Sequence, residues 1–330
     1  MLAAYHVAPN RLEPREAPLP ALDAGEALIR VKACAFCGSD RHDLARVPGA
    51  PRVPGHEFSG IVEQLAGDSP MSVGAPVCVD PIVRCGRCDH CASGRDHLCR
   101  TMSVVGCQTP GGFAESVKAP VANLRPKPPD LSFEAATLAD PLAVALHAAS
   151  LAPAIDGTRC LVLGAGTIGL LMAQVLRLRG AREVWLADIE EGHLALARSL
   201  GPFETVNLAT QPTEALPGEC DLAVELAGGD APTLDLAIAS LRKGGAALCI
   251  AQRPPCQLPY PTVLFGELRL QGVFGQRSAD FAEAITLLGS GQVSGEPLIS
   301  DRFPLPQVQA ALDRFLEPSS VKVVVTTDAG

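Results

Sequence analysis

Residues 160–188 leave this chain few folds to choose from. Cys160-Leu161-Val162-Leu163 is an apolar run that reads as a buried strand. Gly164-Ala165-Gly166-Thr167-Ile168-Gly169 follows as a G-x-G-x-x-G turn, and Leu170 to Arg179 continues as a helix. A second strand, Glu183-Val184-Trp185-Leu186-Ala187, ends at Asp188, nineteen residues past Gly169. In such a unit Gly164 allows the tight turn, Gly166 lets the backbone approach a pyrophosphate, and Gly169 permits close packing of helix on strand. The helix N-terminus then faces the phosphates, and the acid at the second strand accepts ribose hydroxyls. The glycine pattern alone is weak, but with strand, helix, second strand and acid all in place it reads as a dinucleotide-binding loop, with Ile168 inside it.

The alternation continues beyond it. Asp221-Leu226, Ala246-Ile250 and Leu268-Phe274 read as strands and Pro232-Leu241 as a helix, the rhythm of a doubly wound parallel sheet. Helices near Ala279-Leu288 and Gln307-Phe315 and a last strand, Val321 to Thr326, form a tail expected to fold back onto the first half. That first half, to about residue 135, is a series of short strands with Gly and Pro punctuation: Ala27-Lys32, Gly60-Leu65, Ala75-Val79 and Gly112-Val117. It predicts a small barrel-like β domain. Leu131 to Leu151 is helical in period, with Asp140 as an N-cap and Pro141 at the first helical position.

Within the β half, Cys85-x-x-Cys88-x-x-Cys91-x₇-Cys99 places four thiols in fifteen residues. They can close a tetrahedral thiolate cage that leaves no position for substrate, so the zinc there is structural. The alternative is four unrelated thiols or a redox pair. Cys37 and His56, in glycine-punctuated segments about twenty residues apart, offer a thiolate and an imidazole, a pair suited to Zn²⁺. Twelve cysteines in a chain whose N-terminus reads as no signal peptide favour thiolates and metal over disulfides. A net charge of −9 and 4% aromatic residues argue against nucleic acid or an anionic membrane as partner. The longest uncharged run, Cys160 to Leu176, is short for a membrane span and carries the glycine turn.

In their order along the chain, Cys37-Gly38-Ser39-Asp40, Gly55-His56-Glu57, the four-cysteine lobe and the glycine-loop unit resemble the zinc-dependent medium-chain dehydrogenases/reductases over essentially the whole length. Gly112-Phe113-Ala114-Glu115 and Pro141-Leu142-Ala143-Val144-Ala145-Leu146-His147 look most like the polyol branch, with sorbitol, galactitol-phosphate and threonine dehydrogenases. The resemblance implies an α/β chain: a GroES-like β-barrel catalytic domain over 1–147 and 276–330 with its zinc lobe at 85–99, and a Rossmann domain over 148–275. It implies two zinc ions per chain, NAD, and a homodimer or homotetramer in the cytoplasm.

Carried over by position, Cys37 and His56 become ligands of a catalytic zinc, with Glu57 in or beside the first shell. Asp140 stands where the branch usually has Glu, and either coordinates the ion or holds water on it, in addition to capping its helix. Ser39 and His42 match the proton relay. Two positions depart from the pattern: His193 replaces a frequent Arg five residues after the acid, weakening one contact to the adenosine, and Ser116 replaces a frequent Tyr. The implied reaction is oxidation of a secondary alcohol (a polyol, sugar alcohol or cyclitol-like molecule) to a ketone, with hydride passing to NAD. The rivals are an L-threonine 3-dehydrogenase or butanediol-type substrate and, from another class, a zinc- and nucleotide-binding protein without turnover. Asp188, with no Arg or Lys from there to Leu196, favours NAD over NADP.

Overall fold

The protein is described here by a computed structural model covering residues 1–327. It divides into two compact units, the first comprising Met1–Pro141, Arg277–Gly291 and the chain from Gly295 onward, the second Leu142–Gln276 with Gln292–Ser294. The division falls inside the helix Ala139–Ser150, six residues before the position read from the sequence. The helical period of that stretch is unbroken, so nothing local marks where its contacts change.

The first unit is built on a seven-stranded sheet in the order Ile299–Pro304, Lys322–Thr326, Glu26–Ala35, Glu57–Leu65, Pro76–Val79 and Leu124–Pro126. The seventh strand, Ser116–Pro120, pairs with Glu26–Ala35. Glu26–Ala35 thus serves three neighbours, and register shifts at Leu28/Ile29 and Val31/Ala33 allow the bend this requires. Alternation over 27–32 predicts a strand with one wet face; instead Ala27, Leu28 and Ile29 are buried in succession, because the sheet curls around a core. Three phenylalanines organise that core: Phe36 lies 4.4 Å from Phe113 and 5.0 Å from Phe315 between ring centroids. The segment Gly112–Glu115 is not strand. It packs on the loop before Glu57, with Gly112 N donating to Gly55 O at 2.8 Å and Phe113 N to Pro54 O at 3.1 Å.

The second unit is a six-stranded, all-parallel sheet in the order Glu204–Asn207, Glu183–Asp188, Arg159–Leu163, Cys220–Glu225, Leu241–Cys249 and Arg269–Gly272. The chain winds outward one way from Arg159–Leu163, then returns to start Cys220–Glu225 on its other side. That reversal is the topological switch point of a doubly wound sheet, where such folds open a crevice for ligands. The outermost strand, Glu204–Asn207, is too short and polar to show a period in sequence.

Candidate active site

Cys37 follows the buried Phe36, and Glu57 precedes the buried Phe58, so two core rings fix the ends of the segments that carry the donors. Gly55 turns the chain into His56 at φ 103°, and a Cβ there would come within 2.7 Å of Cys34 Sγ and 3.0 Å of Phe113 N. Only glycine fits that turn. The result brings one ligand atom each from Cys37, His56 and Glu57 within 4.8 Å of one another.

Supporting side chains surround the three. Asp40, 3% exposed, accepts from Cys37 N at 2.9 Å through Oδ2, and its Oδ1 lies 4.0 Å from His56 Nδ1. Cys107 Sγ lies 3.9 Å from the same nitrogen. Lys322, from the last strand, donates to Glu57 Oε2 at 2.5 Å and to Phe36 O at 3.0 Å, with both ionic side chains almost fully buried. Burial pushes the Glu57 carboxyl up from its usual range, and Lys322 works against that shift. Burial works against the Lys322 ammonium, but the Glu57 and Cys37 charges outweigh it and hold Lys322 above its ordinary value.

A mixed sulfur, nitrogen and oxygen set, largely buried and close together, fits zinc, and Glu57 Oε1 is buried without a hydrogen-bond partner, as a carboxylate reserved for a cation would be. Asp140 is not among the three. It is buried in the first turn of Ala139–Ser150, one residue inside the helix rather than at its cap. Its charge is felt at Lys322 and Asp80. Ser39 leads the short helix Asp40–Leu44 and its hydroxyl makes no capping bond, while His42, on the same turn, is exposed. Arg41 anchors this turn by donating to Phe315 O at 2.6 Å and Leu316 O at 3.0 Å.

The four cysteines also come together. Cys88 and Cys91 sulfurs are 3.6 Å apart, and Cys85 and Cys91 are 4.0 Å apart. With Zn–S near ~2.3 Å a tetrahedron has edges of about 3.8 Å, so the observed separations match a zinc cage. Backbone amides point at the sulfurs, Cys85 N at Cys99 Sγ (3.3 Å) and Cys88 N at Cys85 Sγ (3.4 Å), as thiolates require. Amide hydrogen bonds hold the Cys85 thiol down to about 6, whereas burial and its sulfur neighbours push Cys91 up to about 12. His90 and His97 are outside the set.

In the second unit the glycine loop has the shape its spacing predicts. A Cβ on Gly169 would lie 1.9 Å from Gly164 O, so helix Thr167–Leu178 packs against the turn only with glycine there. Beyond its two chain neighbours, no protein atom lies within 4 Å of a Cβ built on Gly166, so packing does not demand this glycine. Asp188 is tied to the loop: Oδ2 accepts from Ala165 N at 2.5 Å, and Oδ1 from Ile189 N and Glu190 N at 2.7 and 2.9 Å. His193 is buried with Nδ1 3.7 Å from Asp188 Oδ2. Burial works against the Asp188 charge, yet His193 and the amides hold its carboxyl below the usual range. His193 therefore braces the acid directly.

Sequence reasoning passed over Asp40, Cys107 and Lys322. Asp40 stood inside the quoted motif without a role, whereas Lys322 reads as the wet face of an ordinary strand and meets Glu57 only across 265 residues.

Residues 23–129 match the family model described as alcohol dehydrogenase GroES-like domain, and residues 167–290 the model described as zinc-binding dehydrogenase. An L-threonine 3-dehydrogenase of Mesorhizobium japonicum is 32% identical over 324 residues, covering 94% of each chain. A protein of Sinorhizobium meliloti described as a zinc-binding dehydrogenase bound to NADP superposes with a TM-score of 0.92 at 30% identity, covering 98% of each chain. Galactitol-1-phosphate dehydrogenase of Escherichia coli gives 0.90 at 26% identity, covering 99% of this chain and 100% of that one.

Proposed function

The chain belongs to the zinc-dependent medium-chain dehydrogenases, with a GroES-like and a Rossmann domain, and from that premise we propose that it oxidises a secondary alcohol to a ketone with NAD. The observation that carries the reading is the Cys37, His56 and Glu57 group, half-buried at the cysteine and buried at the other two, in one chain with the Gly164–Gly169 loop and Asp188. A zinc ion at the first site supplies a Lewis acid that makes an alcohol hydroxyl more acidic, and NAD at the second supplies the hydride acceptor. Cys37 and His56 would hold the ion, and Glu57, with its spare Oε1, would stand beside it with its other oxygen paired to Lys322. Asp140 would either coordinate the ion directly or hold a water on it. The substrate proton leaves through the Ser39 hydroxyl, the nicotinamide ribose and then His42, whose exposure lets it reach solvent.

The substrate is a polyol, sugar alcohol or cyclitol-like molecule in this reading, which the likeness to galactitol-1-phosphate dehydrogenase supports. A second reading, L-threonine as substrate, is favoured by the 32% identity to a threonine dehydrogenase. A panel of polyols, L-threonine and butanediol, followed by NADH absorbance, decides between them. Absence of turnover across the panel with both zinc sites filled would point instead to a non-catalytic binder.

The preference for NAD rests on Asp188. NADP replaces the 2′-hydroxyl by a phosphate dianion, which would face this carboxylate, and the nearest Arg on the following helix, Arg198, is engaged with Glu191. A lost hydrogen bond plus repulsion amounts to about 3 kcal/mol, on the order of a hundredfold in kcat/KM. Parity between the cofactors, or a preference for NADP as bound to the Sinorhizobium protein, would overturn the assignment.

The same proposal includes a cytoplasmic homodimer or homotetramer. In its support, Arg269–Gly272 is an edge strand flanked by exposed Tyr260, Leu264, Phe265 and Phe274, a surface that a second copy would cover. Among the described residues no helix is long and apolar enough to cross a membrane. Sedimentation analysis of wild type and Phe265→Asp tests the assembly.

A further inference from the structure

The four-cysteine lobe is closed at its base by two short strands, Ile82–Val83 and Ser103–Val104, which pair antiparallel. Arg84, just before Cys85, donates to Asp80 Oδ2 at 2.6 Å and contacts Asp96 Oδ2 at 3.2 Å, which ties both ends of the lobe to the barrel. Directly after the second base strand the chain turns. Cys107 N and Gln108 N donate to Val104 O at 3.1 and 3.0 Å, and Gly106 N to Thr109 O at 2.9 Å. Arg52 holds the turn from outside through the Gly106 and Cys107 carbonyls. Its inner side is pressed on the metal pocket: at Gly106, φ 92°, a Cβ would lie 2.3 Å from Gly55 O and 2.8 Å from His56 N. This packing aims Cys107 at His56 Nδ1, where its Sγ stands 3.9 Å away.

Resting on the two-zinc reading, we propose that the two metal sites are linked through the base of the lobe, with Cys107 as the positioning residue that carries the lobe's order to His56. Emptied of metal, the stretch 85–99 has almost no buried apolar side chain to keep it folded. A base of two-residue strands cannot hold register alone, so Val104 O, which accepts from Cys107 N and Gln108 N, loses its place and Cys107 shifts, although Arg52 and Gly106 keep their own contacts. Cys107 then leaves the imidazole, and the Nδ1 side of the ring keeps only the more distant Asp40 carboxylate. Partners that orient a metal-binding histidine typically change metal affinity 10–100-fold. Linkage is reciprocal, so loss of the ion at Cys37 and His56 weakens the lobe's hold on its own.

The test uses the full chain and equilibrium competition against a chromogenic chelator, with cobalt(II) absorption reporting thiolate coordination at each site. Cys88→Ser is expected to weaken metal binding at Cys37 and His56 by about tenfold or more, and Cys107→Val to do the same with lobe metal and melting temperature retained. The double variant should be no worse than either alone, and Cys107→Ser, which keeps an acceptor for the His56 Nδ1–H, should recover part of the loss. Unchanged affinity in Cys107→Val, or additive losses in the double variant, overturns the linkage. If Cys88→Ser does not fold, Cys37→Ser reads the reverse direction: the lobe should release its metal more readily, and equal retention overturns the proposal. Wild type that takes up no zinc removes the two-zinc reading itself, an outcome seen before any variant is made.

Discussion

The four cysteines at 85–99 and the Cys37, His56 and Glu57 group lie in the same unit and are built in opposite ways. The lobe takes all its donors from fifteen residues and supports them with its own amides, Cys85 N and Cys88 N among them. The pocket takes its donors from two segments and its support from Asp40, the 104–109 turn and a lysine at the far end of the chain. The lobe offers four sulfur donors of one kind and closes around an ion. The pocket offers unequal donors, one with a spare oxygen, and suits an ion that must also bind something else. A local cage is a staple; a site gathered from afar depends on the whole domain being folded.

The sharpest way to break this contrast is to remove one sulfur from each. Cys37→Ser should lower turnover by about 10³-fold or more, since the Lewis acid is worth several kcal/mol. Its melting temperature should stay close to wild type. Cys99→Ser should instead lose the lobe's zinc and destabilise the fold by several kcal/mol, with turnover kept only where zinc is supplied in excess of the weakened affinity at Cys37 and His56. Rates, metal analysis and thermal melts on both variants check this. If the two variants behaved alike, the division into catalytic and structural sites would fall.

Next in size is the pocket's remote support. Lys322→Met leaves the Glu57 charge buried and unpaired, which should cost about 3–5 kcal/mol in chemical denaturation. Adding Glu57→Gln should return much of that. Because Glu57 holds Lys322 above its ordinary value of 10.5, the pair's contribution is complete below that pH and fades as pH rises through the higher folded value. Wild type should therefore lose stability on the alkaline side, and Lys322→Met should lack that loss. A variant with unchanged stability and an unchanged alkaline profile would show the pair to be dispensable.

These sites also differ in how legible they were. The lobe and the glycine loop were readable because their chemistry is local: spacing alone sets the cage, and turn geometry alone sets Gly164 and Gly169. Of the fold, the parallel sheet followed from strand and helix rhythm, while Glu204–Asn207 and the three-way pairing of Glu26–Ala35 did not, since curvature and edge strands are decided by distant partners. The pocket was half readable. Cys37, His56 and Glu57 carry a motif, but Lys322 sits in Lys-Val-Val-Val-Thr, where alternation points a lysine to water. Only its pairing with Glu57 explains why it is 2% exposed.

The smallest effect, and the finest division, belongs to Asp140. In the first helical turn its charge favours the helix by about 0.3–1 kcal/mol through the dipole, and that alone would justify an acid there. Yet it is 7% exposed, and its charge bears on Lys322 and Asp80 within the pocket's surroundings. Asp140→Asn keeps the shape and removes the charge. As a helix residue only, it would lower stability by a few tenths to about 1 kcal/mol and leave metal binding untouched. As the outer carboxylate of the pocket, it should weaken zinc at Cys37 and His56 by about tenfold, with a smaller loss of turnover at saturating zinc and the lobe's zinc still present. Chelator competition measures the affinity and a melt the stability. Full affinity with a lowered melting temperature would return Asp140 to its helix, and leave the pocket with donors from Cys37, His56 and Glu57 alone.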